Sequence, residues 1–248
     1  MDLRKGDCLE VLKTLPDKSI DFVYLDLPFG QTACKWDIKL DLSALWKELK
    51  RLARSDRTPF FFSCTTKFGY EIIKSNEKYF RWDLVWEKNR AAGFLNAYKL
   101  PMRKHEMIYC FAKKSPEYDV SSHNEFKQVH LARNGVNSDK LYGKQNDVLQ
   151  KNYKDPLPTT ILPPQEEQPS SWCKFKLDNN TGHRTAKPVA LMEFLLKYWT
   201  QEGWTVLDPT MGSGSMGIAA KRMKRKFIGI EKDDDIFELA KQRIKSSS

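Results

Sequence analysis

Two glycines within a strand–turn–helix–strand pattern over residues 206–233 have the spacing of a ligand-binding turn. Gly212 and Gly214 would let the backbone turn sharply and approach a ligand closely, and the N–H groups that open the next helix would point at it. Glu231 ends the following strand, where a carboxylate can accept hydrogen bonds from ribose hydroxyls. The complete unit indicates a cofactor of the nucleoside type, whereas the two glycines alone would also fit a plain tight turn.

Asp208 and Pro209 precede this turn, at the point where a dinucleotide-binding unit receives a pyrophosphate. A carboxylate there would repel phosphate, and the spacing also departs from the dinucleotide pattern G-x-G-x-x-G. Asp208 suits a cationic ligand instead, such as the ammonium or sulfonium group of S-adenosylmethionine. The alternative is that Asp208 and Pro209 only end the strand and cap the helix.

A second turn follows the apolar run of residues 20–25 and contains Asp26, Leu27, Pro28 and Phe29. Its groups suit the activation of an exocyclic base amine, a weak nucleophile because its lone pair is delocalised into the ring. The ionised carboxylate of Asp26 and the backbone carbonyl of Leu27 can accept hydrogen bonds from both amine protons. Pro28 would stiffen the turn, and Phe29 offers a face for stacking of an extruded base. Taken alone, the four residues also fit a βα turn with a buried phenylalanine.

The elements that must position these turns alternate along the chain. Short apolar runs separated by helical patterns predict a mostly parallel sheet with helices on both faces. In such sheets ligands bind at the carboxyl ends of the strands, so we expect the turns at Asp26 and Asp208 to lie at one edge. Residues 82–87 and 106–112 are expected to form a long-looped hairpin, with Asn89, Arg90 and Asn96 in a loop that could approach DNA.

Composition and charge limit the kinds of protein that this chain can be. Its 248 residues suffice for one α/β domain with an insertion, and 40% of them are hydrophobic. The net charge of +10 favours a nucleic-acid partner without requiring one. The cysteines and histidines have no metal-site or disulfide spacing, so no metal is expected. No apolar run of about 18 residues or signal-peptide core is present, which predicts no membrane span and a cytoplasmic location.

Three motifs together resemble those of the beta class of DNA amino-methyltransferases. Residues 26–29 resemble the catalytic motif D/N/S-P-P-Y/F, and residues 208–215 resemble the cofactor motif. Residues 183–188 resemble H-x-T-x-K-P, which precedes the cofactor motif in that class. The resemblance covers residues 1–112 and 183–245, and the order of catalytic motif, variable region and cofactor motif is the circularly permuted order of the beta class.

The resemblance implies a Rossmann-like methyltransferase fold of the α/β class, with a seven-stranded, mostly parallel sheet. It implies a catalytic domain of residues 1–112 and 183–248 and a small target-recognition insertion of residues 113–182. The permuted order would place residues 5–7 at a strand end beside Glu231. The implied partner is double-stranded DNA, and members of the family often form homodimers.

The resemblance also implies S-adenosylmethionine as the cofactor. The residues expected to bind it are Asp7, Lys187, Asp208, Pro209, Thr210, Gly212, Gly214 and Glu231. Asp7 is expected to contact the adenine amino group of the cofactor, and Lys187 to support either the cofactor carboxylate or the catalytic loop. Leu27, Phe29 and Thr210 depart from the usual Pro, Tyr and Phe, but no departure removes a group that the chemistry requires.

The function expected from these features is site-specific methylation of N6 of adenine in DNA, in a restriction-modification context of bacterial or phage origin. Aspartate rather than serine at position 26 favours adenine, although the beta class contains exceptions. The alternatives are N4-cytosine methylation, methylation of RNA or of a protein amide, and a catalytically silent DNA-binding relative. The intact Asp26, Gly212, Gly214 and Glu231 argue against the last.

Overall fold

The protein is described by a computed structural model that covers residues 1–28, 30, 39–119, 125–131, 149–153, 161–162 and 186–247. Its residues form two compact units, Met1–Tyr118 with Thr159–Ser248 and Asp119–Pro158. Phe29 of the predicted catalytic motif and residues 183–185 lie outside the described residues. The assignment of residues 113–182 to target recognition therefore stays a prediction.

The helices and strands follow one another in the order expected for an α/β chain. The strands are β1 (Asp2–Lys5), β2 (Phe22–Leu25), β3 (Phe60–Cys64), β4 (Phe80–Ala92), β5 (Arg103–Phe111), β6 (Glu125–Leu131), β7 (Leu149–Tyr153), β8 (Ile161–Leu162), β9 (Thr205–Asp208) and β10 (Lys226–Glu231). The helices are α1 (Cys8–Lys13), α2 (Leu42–Leu52), α3 (Thr66–Ser75), α4 (Val189–Trp199), α5 (Ser215–Arg222) and α6 (Asp234–Ser246). None of the helices in the described ranges is both long and apolar enough to span a bilayer.

The larger unit is built on an eight-stranded sheet in the order β1-β10-β9-β2-β3-β5-β4-β8. The neighbours from β1 to β3 are parallel, and β5 runs antiparallel to both β3 and β4. The predicted mostly parallel sheet is confirmed, but the predicted number of seven strands is one too low. The additional strand is β8, whose two residues are too short to show any sequence periodicity.

The core lies on both faces of this sheet, because helices cover each face. Phe22 and Tyr24 of β2 pack in the apolar cluster formed with α4, α5 and α6. Val23 and Leu25 belong to the cluster on the opposite face, with α1, α2 and α3. All four residues of β2 are therefore buried, as expected for a central parallel strand.

The hairpin of β4 and β5 extends further than the sequence indicates. The two strands pair from Phe80↔Phe111 to Ala92↔Arg103, with a register shift between Glu87 and Ala92. The predicted hairpin is confirmed, but residues 89 and 90 belong to β4 and not to the loop. The run Lys88-Asn-Arg has no apolar alternation and lies within the register shift between Glu87 and Ala92, so no sequence period marks it as part of a strand.

Candidate active site

The turns at Asp26 and Asp208 meet at the carboxyl edge of the sheet. Asp26 follows β2 directly, and Asp208 is the last residue of the neighbouring parallel strand β9. The hydroxyl of Thr210 donates a hydrogen bond to the backbone carbonyl of Asp26 at 3.2 Å, which joins the two turns. The two motifs singled out in the sequence are therefore parts of one site.

The glycine-rich turn leaves room for a ligand at one glycine and packs tightly at the other. Gly212 has φ +50°, and a side chain there would meet no atom within 4 Å. Gly214 has φ +81°, and a Cβ atom there would lie 3.0 Å from Ile244 and 3.2 Å from Ala240 of α6. Gly212 therefore opens the turn, whereas Gly214 lets α5 approach α6 closely.

Glu231 holds the glycine-rich turn at the end of β10. One carboxylate oxygen accepts the N–H of Gly212 at 3.0 Å, and the other accepts the N–H groups of Lys232 and Asp233 at 2.8 and 2.9 Å. The carbonyl of Glu231 accepts the N–H of Gly6 at 2.9 Å. The predicted ribose-binding acid thus has a fixed orientation beside the end of β1.

Asp7 lies at that same strand end, where it caps α1. Its carboxylate accepts the N–H of Leu9 at 3.0 Å, and the ammonium of Lys232 lies 3.4 Å away. Lys5 is in register with Glu231, so the two acids predicted to bind the nucleoside end of the cofactor occupy adjacent strand ends. This is the position that the permuted motif order requires.

Asp208 is a buried carboxylate, with 3% of its surface exposed. Burial raises the pKa of Asp208 well above its usual range, and the nearby carboxylates of Asp26 and Glu231 raise it further. The N–H of Thr210, which donates to Asp208 at 3.1 Å, opposes this shift only in part. A bound cation would favour the charged carboxylate, which fits the ammonium or sulfonium group that the sequence indicated.

The first residue of α5 supplies a second sign of a ligand. The hydroxyl oxygen of Ser215 is buried, and it has no hydrogen-bond partner among the described residues. Buried polar groups without partners are rare in folded proteins, so an orphan at this turn is consistent with a polar ligand. The residues of the turn therefore fit a cofactor such as S-adenosylmethionine.

Lys187 contacts the predicted catalytic carboxylate. Its ammonium lies 2.6 Å from Oδ2 of Asp26 and 3.4 Å from Oε2 of Glu106, and 11% of its side chain is exposed. Burial alone would lower the pKa of Lys187, but Asp26 and Glu106 outweigh it and raise the pKa above its usual value. Of the two roles expected for Lys187, the geometry favours support of the catalytic turn.

Glu106 and Lys88 extend this contact into a row of alternating charges. The ammonium of Lys88 on β4 lies 2.9 Å from Oε1 of Glu106 on β5. Burial alone would raise the pKa of Glu106, but Lys187 and Lys88 lower it below its usual value. Sequence reasoning missed both residues as site residues, because no local pattern shows that Glu106 reaches the turn at Asp26.

The remaining predicted catalytic residues have a mainly structural setting. Leu27 is buried in the apolar cluster around β3, so its side chain anchors the turn and its backbone carbonyl is the group available for chemistry. Pro28 is partly buried, and Phe29 lies outside the described residues. Pro209 is buried directly after Asp208.

Neither a thiol nucleophile nor a metal group is found in the parts of the chain that the structure describes. Cys8, Cys64 and Cys110 are buried, and burial raises the pKa of each thiol, that of Cys8 to about 11. No group of three His, Cys, Asp or Glu side chains in those parts could hold a metal ion. The described polar groups at this edge include the carboxylates of Asp26 and Asp208, the ammonium of Lys187 and the backbone N–H of Gly212.

Comparisons with known proteins identify a family and several relatives by sequence. Residues 20–242 match the family described as DNA methylase. Type II methyltransferase M.HinfI of Haemophilus influenzae is 24% identical over 97% of this chain and 67% of its own length. Type II methyltransferase M.HpaI of Haemophilus parainfluenzae is 26% identical, over 97% of this chain and 73% of its own length.

Solved structures show the same fold. The M1.HpyAVI–SAM complex matches with a TM-score of 0.62 and 23% identity, over 98% of each chain. PvuII DNA methyltransferase, described as cytosine-N4-specific, matches with a TM-score of 0.65 and 18% identity, over 97% of this chain and 85% of that chain. The expected Rossmann-like methyltransferase fold is confirmed by these matches. The chain belongs to the DNA methylase family of N6-adenine and N4-cytosine methyltransferases, whose cofactor is S-adenosylmethionine.

Proposed function

We propose that this protein methylates N6 of adenine at a specific sequence in double-stranded DNA. The observation that carries the proposal is the contact of Lys187 with Asp26, at the edge of the sheet where the glycine-rich turn lies. This contact holds a charged carboxylate beside the turn that fits the cofactor. The net charge of +10 supports DNA as the partner, because a surplus of Lys and Arg strengthens binding to phosphates.

Asp26 and the backbone carbonyl of Leu27 activate the target amine in this proposal. Both accept hydrogen bonds from its two protons, which draws the nitrogen lone pair out of the ring and toward the incoming methyl group. The ammonium of Lys187 balances the charge of Asp26 and fixes one of its oxygens at 2.6 Å. Asp26 can also take up the proton that the nitrogen releases after it is methylated.

The cofactor would be held by the groups that line the glycine-rich turn. Asp208 would face its cationic part, Glu231 its ribose and Asp7 its adenine amino group. Bound S-adenosylmethionine supplies an electrophilic methyl group. The link from Thr210 to the carbonyl of Asp26 at 3.2 Å keeps the cofactor turn and the catalytic turn in a fixed relation, which favours in-line attack.

Adenine is the preferred base because position 26 is aspartate. Relatives act on both bases: YhdJ of Escherichia coli is named a DNA adenine methyltransferase, and the PvuII enzyme is described as cytosine-N4-specific. The family alone thus leaves the base open. Target recognition by residues 113–182 and extrusion of the base from the duplex complete the proposal.

The test is transfer of labelled methyl from S-adenosylmethionine to unmethylated duplex DNA, followed by nucleoside analysis. We expect the label in N6-methyladenine. Label in N4-methylcytosine would keep the chemistry and overturn the choice of base, and transfer to RNA or protein alone would overturn the partner. The matched control is Asp26→Ala, which should abolish transfer while its cofactor affinity stays within about threefold of wild type.

A further inference from the structure

The connection between β4 and β5 carries an unusual concentration of exposed apolar side chains. We call residues 93–102 the hairpin tip. Most of the large hydrophobic residues that are exposed in the described parts of the chain lie there, with Leu95 82% exposed and Tyr98 fully exposed. The others at the tip are Phe94, Leu100 and Met102. Five large apolar side chains exposed within ten residues favour a contact site for a partner over scattered surface hydrophobics.

The hairpin around the tip, residues 88–105, is basic, although Lys99 is the only basic residue within the tip itself. Residues 88–105 contain no aspartate or glutamate, and their basic residues are Lys88, Arg90, Lys99, Arg103 and Lys104. Lys88 and Lys104 form ion pairs with Glu106 and Glu87 in the stem of the hairpin. Lys99 and Arg103 lie at or beside the tip and are exposed. The partner of the tip therefore combines apolar faces with negative charge, as a nucleic-acid strand does.

The tip leaves the sheet at the edge that carries the candidate active site. β5 runs antiparallel to β3, with Cys64 opposite Met107, so the start of β5 lies beyond the carboxyl end of β3. Glu106, in that first part of β5, reaches Lys187 at 3.4 Å, and Lys187 contacts Asp26. The residues that precede Glu106 therefore extend from the catalytic side of the sheet.

We propose that the hairpin tip docks on the substrate DNA around the extruded base. This inference rests on the proposed function, since extrusion leaves the neighbouring bases without a stacking partner. Tyr98, Phe94 and Leu95 cover the bases exposed in this way, as apolar side chains do when they enter a base step. Lys99 and Arg103 contact the flanking phosphates.

A second copy of the chain is the other occupant to consider. Tips that met across a two-fold axis would bring identical basic segments together, with no acidic residue in residues 88–105 to balance them. The net charge of +10 opposes such a contact further. The positive charge of residues 88–105 thus favours DNA over self-association.

Replacement of Tyr98 tests the apolar part of this contact. The binding of unmethylated genomic DNA fragments is measured for Tyr98→Ala and Tyr98→Phe, together with KM and kcat for methyl transfer. We expect Tyr98→Ala to weaken DNA binding and raise KM on the order of tenfold, and Tyr98→Phe to stay near wild type because it keeps the ring. S-adenosylmethionine affinity should not change. The matched control is Tyr70→Ala, which removes an exposed tyrosine of α3.

Salt dependence tests the phosphate contacts. Lys99→Gln and Arg103→Gln should each lower the slope of log Kd against log salt concentration by about one. Lys241→Gln on α6, the matched control, should leave the slope unchanged. Unaltered DNA binding in the Tyr98 and Lys99 variants, or a change only in the sedimentation of the protein as a dimer, would overturn the inference.

The two proposals fail in different ways. If wild-type protein transfers no methyl group to DNA, the proposed function fails whatever the Tyr98 variants do. If wild type methylates DNA and Tyr98→Ala does so with an unchanged KM, the inference about the hairpin tip fails alone.

Discussion

In the proposed function, Lys187 keeps the carboxylate of Asp26 charged through its 2.6 Å contact. The ammonium of Lys187 contacts both Asp26 and Glu106, so its removal would leave two carboxylates in a partly buried site without that cation, and such carboxylates hold their protons more strongly. Because the proposed mechanism uses a charged Asp26, we expect the acid limb of the pH–kcat profile to move to higher pH in Lys187→Met. We expect kcat at neutral pH to fall on the order of a hundredfold.

The matched variants separate charge from packing. Lys187→Arg keeps the cation and should recover part of kcat, with the acid limb near its original position. Lys88→Met removes the cation on the far side of Glu106, 2.9 Å from Oε1, and should move the limb less. An acid limb that stayed in place in Lys187→Met would contradict this role of the ammonium.

The second prediction concerns Asp208, whose replacement should raise the stability of the protein without cofactor. An acid whose folded pKa is raised disfavours folding once the pH exceeds its unfolded pKa, so stability is lost as pH rises toward the folded pKa. Asp208→Asn removes this cost and can still accept the N–H of Thr210. Without cofactor, the variant should therefore melt at least about 2 °C higher than wild type at neutral pH.

Added cofactor should stabilise wild type more than Asp208→Asn. S-adenosylmethionine is expected to raise the Tm of wild type but to have little effect on Asp208→Asn, because the variant lacks the anion for its cationic part. Thermal unfolding with and without S-adenosylmethionine measures both effects. A lower Tm of the variant without cofactor would show that the buried carboxylate is not a cost.

Sequence reasoning proposed the site residues and named Lys187 as a possible support for the catalytic turn, but it gave Glu106 no role. Asp26, Asp208 and Glu231 were proposed because each lies at or directly after the end of a short apolar strand. The contact between Lys187 and Glu106 joins residues that are far apart in the chain and on different elements. No local pattern encodes such a contact, since it depends on where the antiparallel β5 lies in the sheet.

At the scale of elements, the two glycines of the turn before α5 have different structural roles: Gly212 faces open space and Gly214 packs against α6. In Gly214→Ala the Cβ atom would strain a φ of +81° and press on Ile244 at 3.0 Å. The free energy of unfolding should fall by about 2 kcal/mol or more. Gly212→Ala meets open space at a φ of +50°, so it should cost only about 1 kcal/mol.

We expect Gly212→Ala to lose more cofactor affinity than Gly214→Ala, although Gly214→Ala loses more stability. Alanine at position 212 projects into the space that fits the ligand, so its S-adenosylmethionine affinity should fall more than that of Gly214→Ala at a temperature where both are folded. Denaturant unfolding and isothermal titration measure the two quantities. Equal losses of stability in both variants would argue against the division of roles between the two glycines.

Elements with strong apolar patterns were predicted even when short, whereas α1 and β8 were not predicted. β2 and β3 are buried along their whole length, which a continuous apolar run signals clearly. α1 has six residues and β8 has two, and neither is long enough to show a period. The extension of β4 to Ala92 is likewise a consequence of pairing with β5 and not of its own sequence.

At the scale of the whole molecule, the permuted order of motifs is accommodated at the edge of the sheet. β1 lies parallel to β10, with Lys5 in register with Glu231, so the start of the chain completes the cofactor side of the site. The permuted order of motifs predicted that residues 5–7 lie beside Glu231, and the pairing of β1 with β10 places them there. The smaller unit, Asp119–Pro158, lies within the insertion of residues 113–182 that the sequence analysis proposed, and its bounds are narrower than that proposal.

This division predicts that cofactor binding and DNA selection can be separated. Replacement of Asp119–Pro158 by a flexible Gly/Ser linker leaves every strand of the larger sheet in place. The variant should therefore bind S-adenosylmethionine within about threefold of wild type, because Asp7, Asp208 and Glu231 are retained. Its methylation of DNA should lose sequence preference and fall on the order of a hundredfold in kcat/KM. Sequencing of methylated sites and calorimetry measure the two effects. Retained sequence preference would move target recognition to the larger unit, where the hairpin tip is the first segment to test.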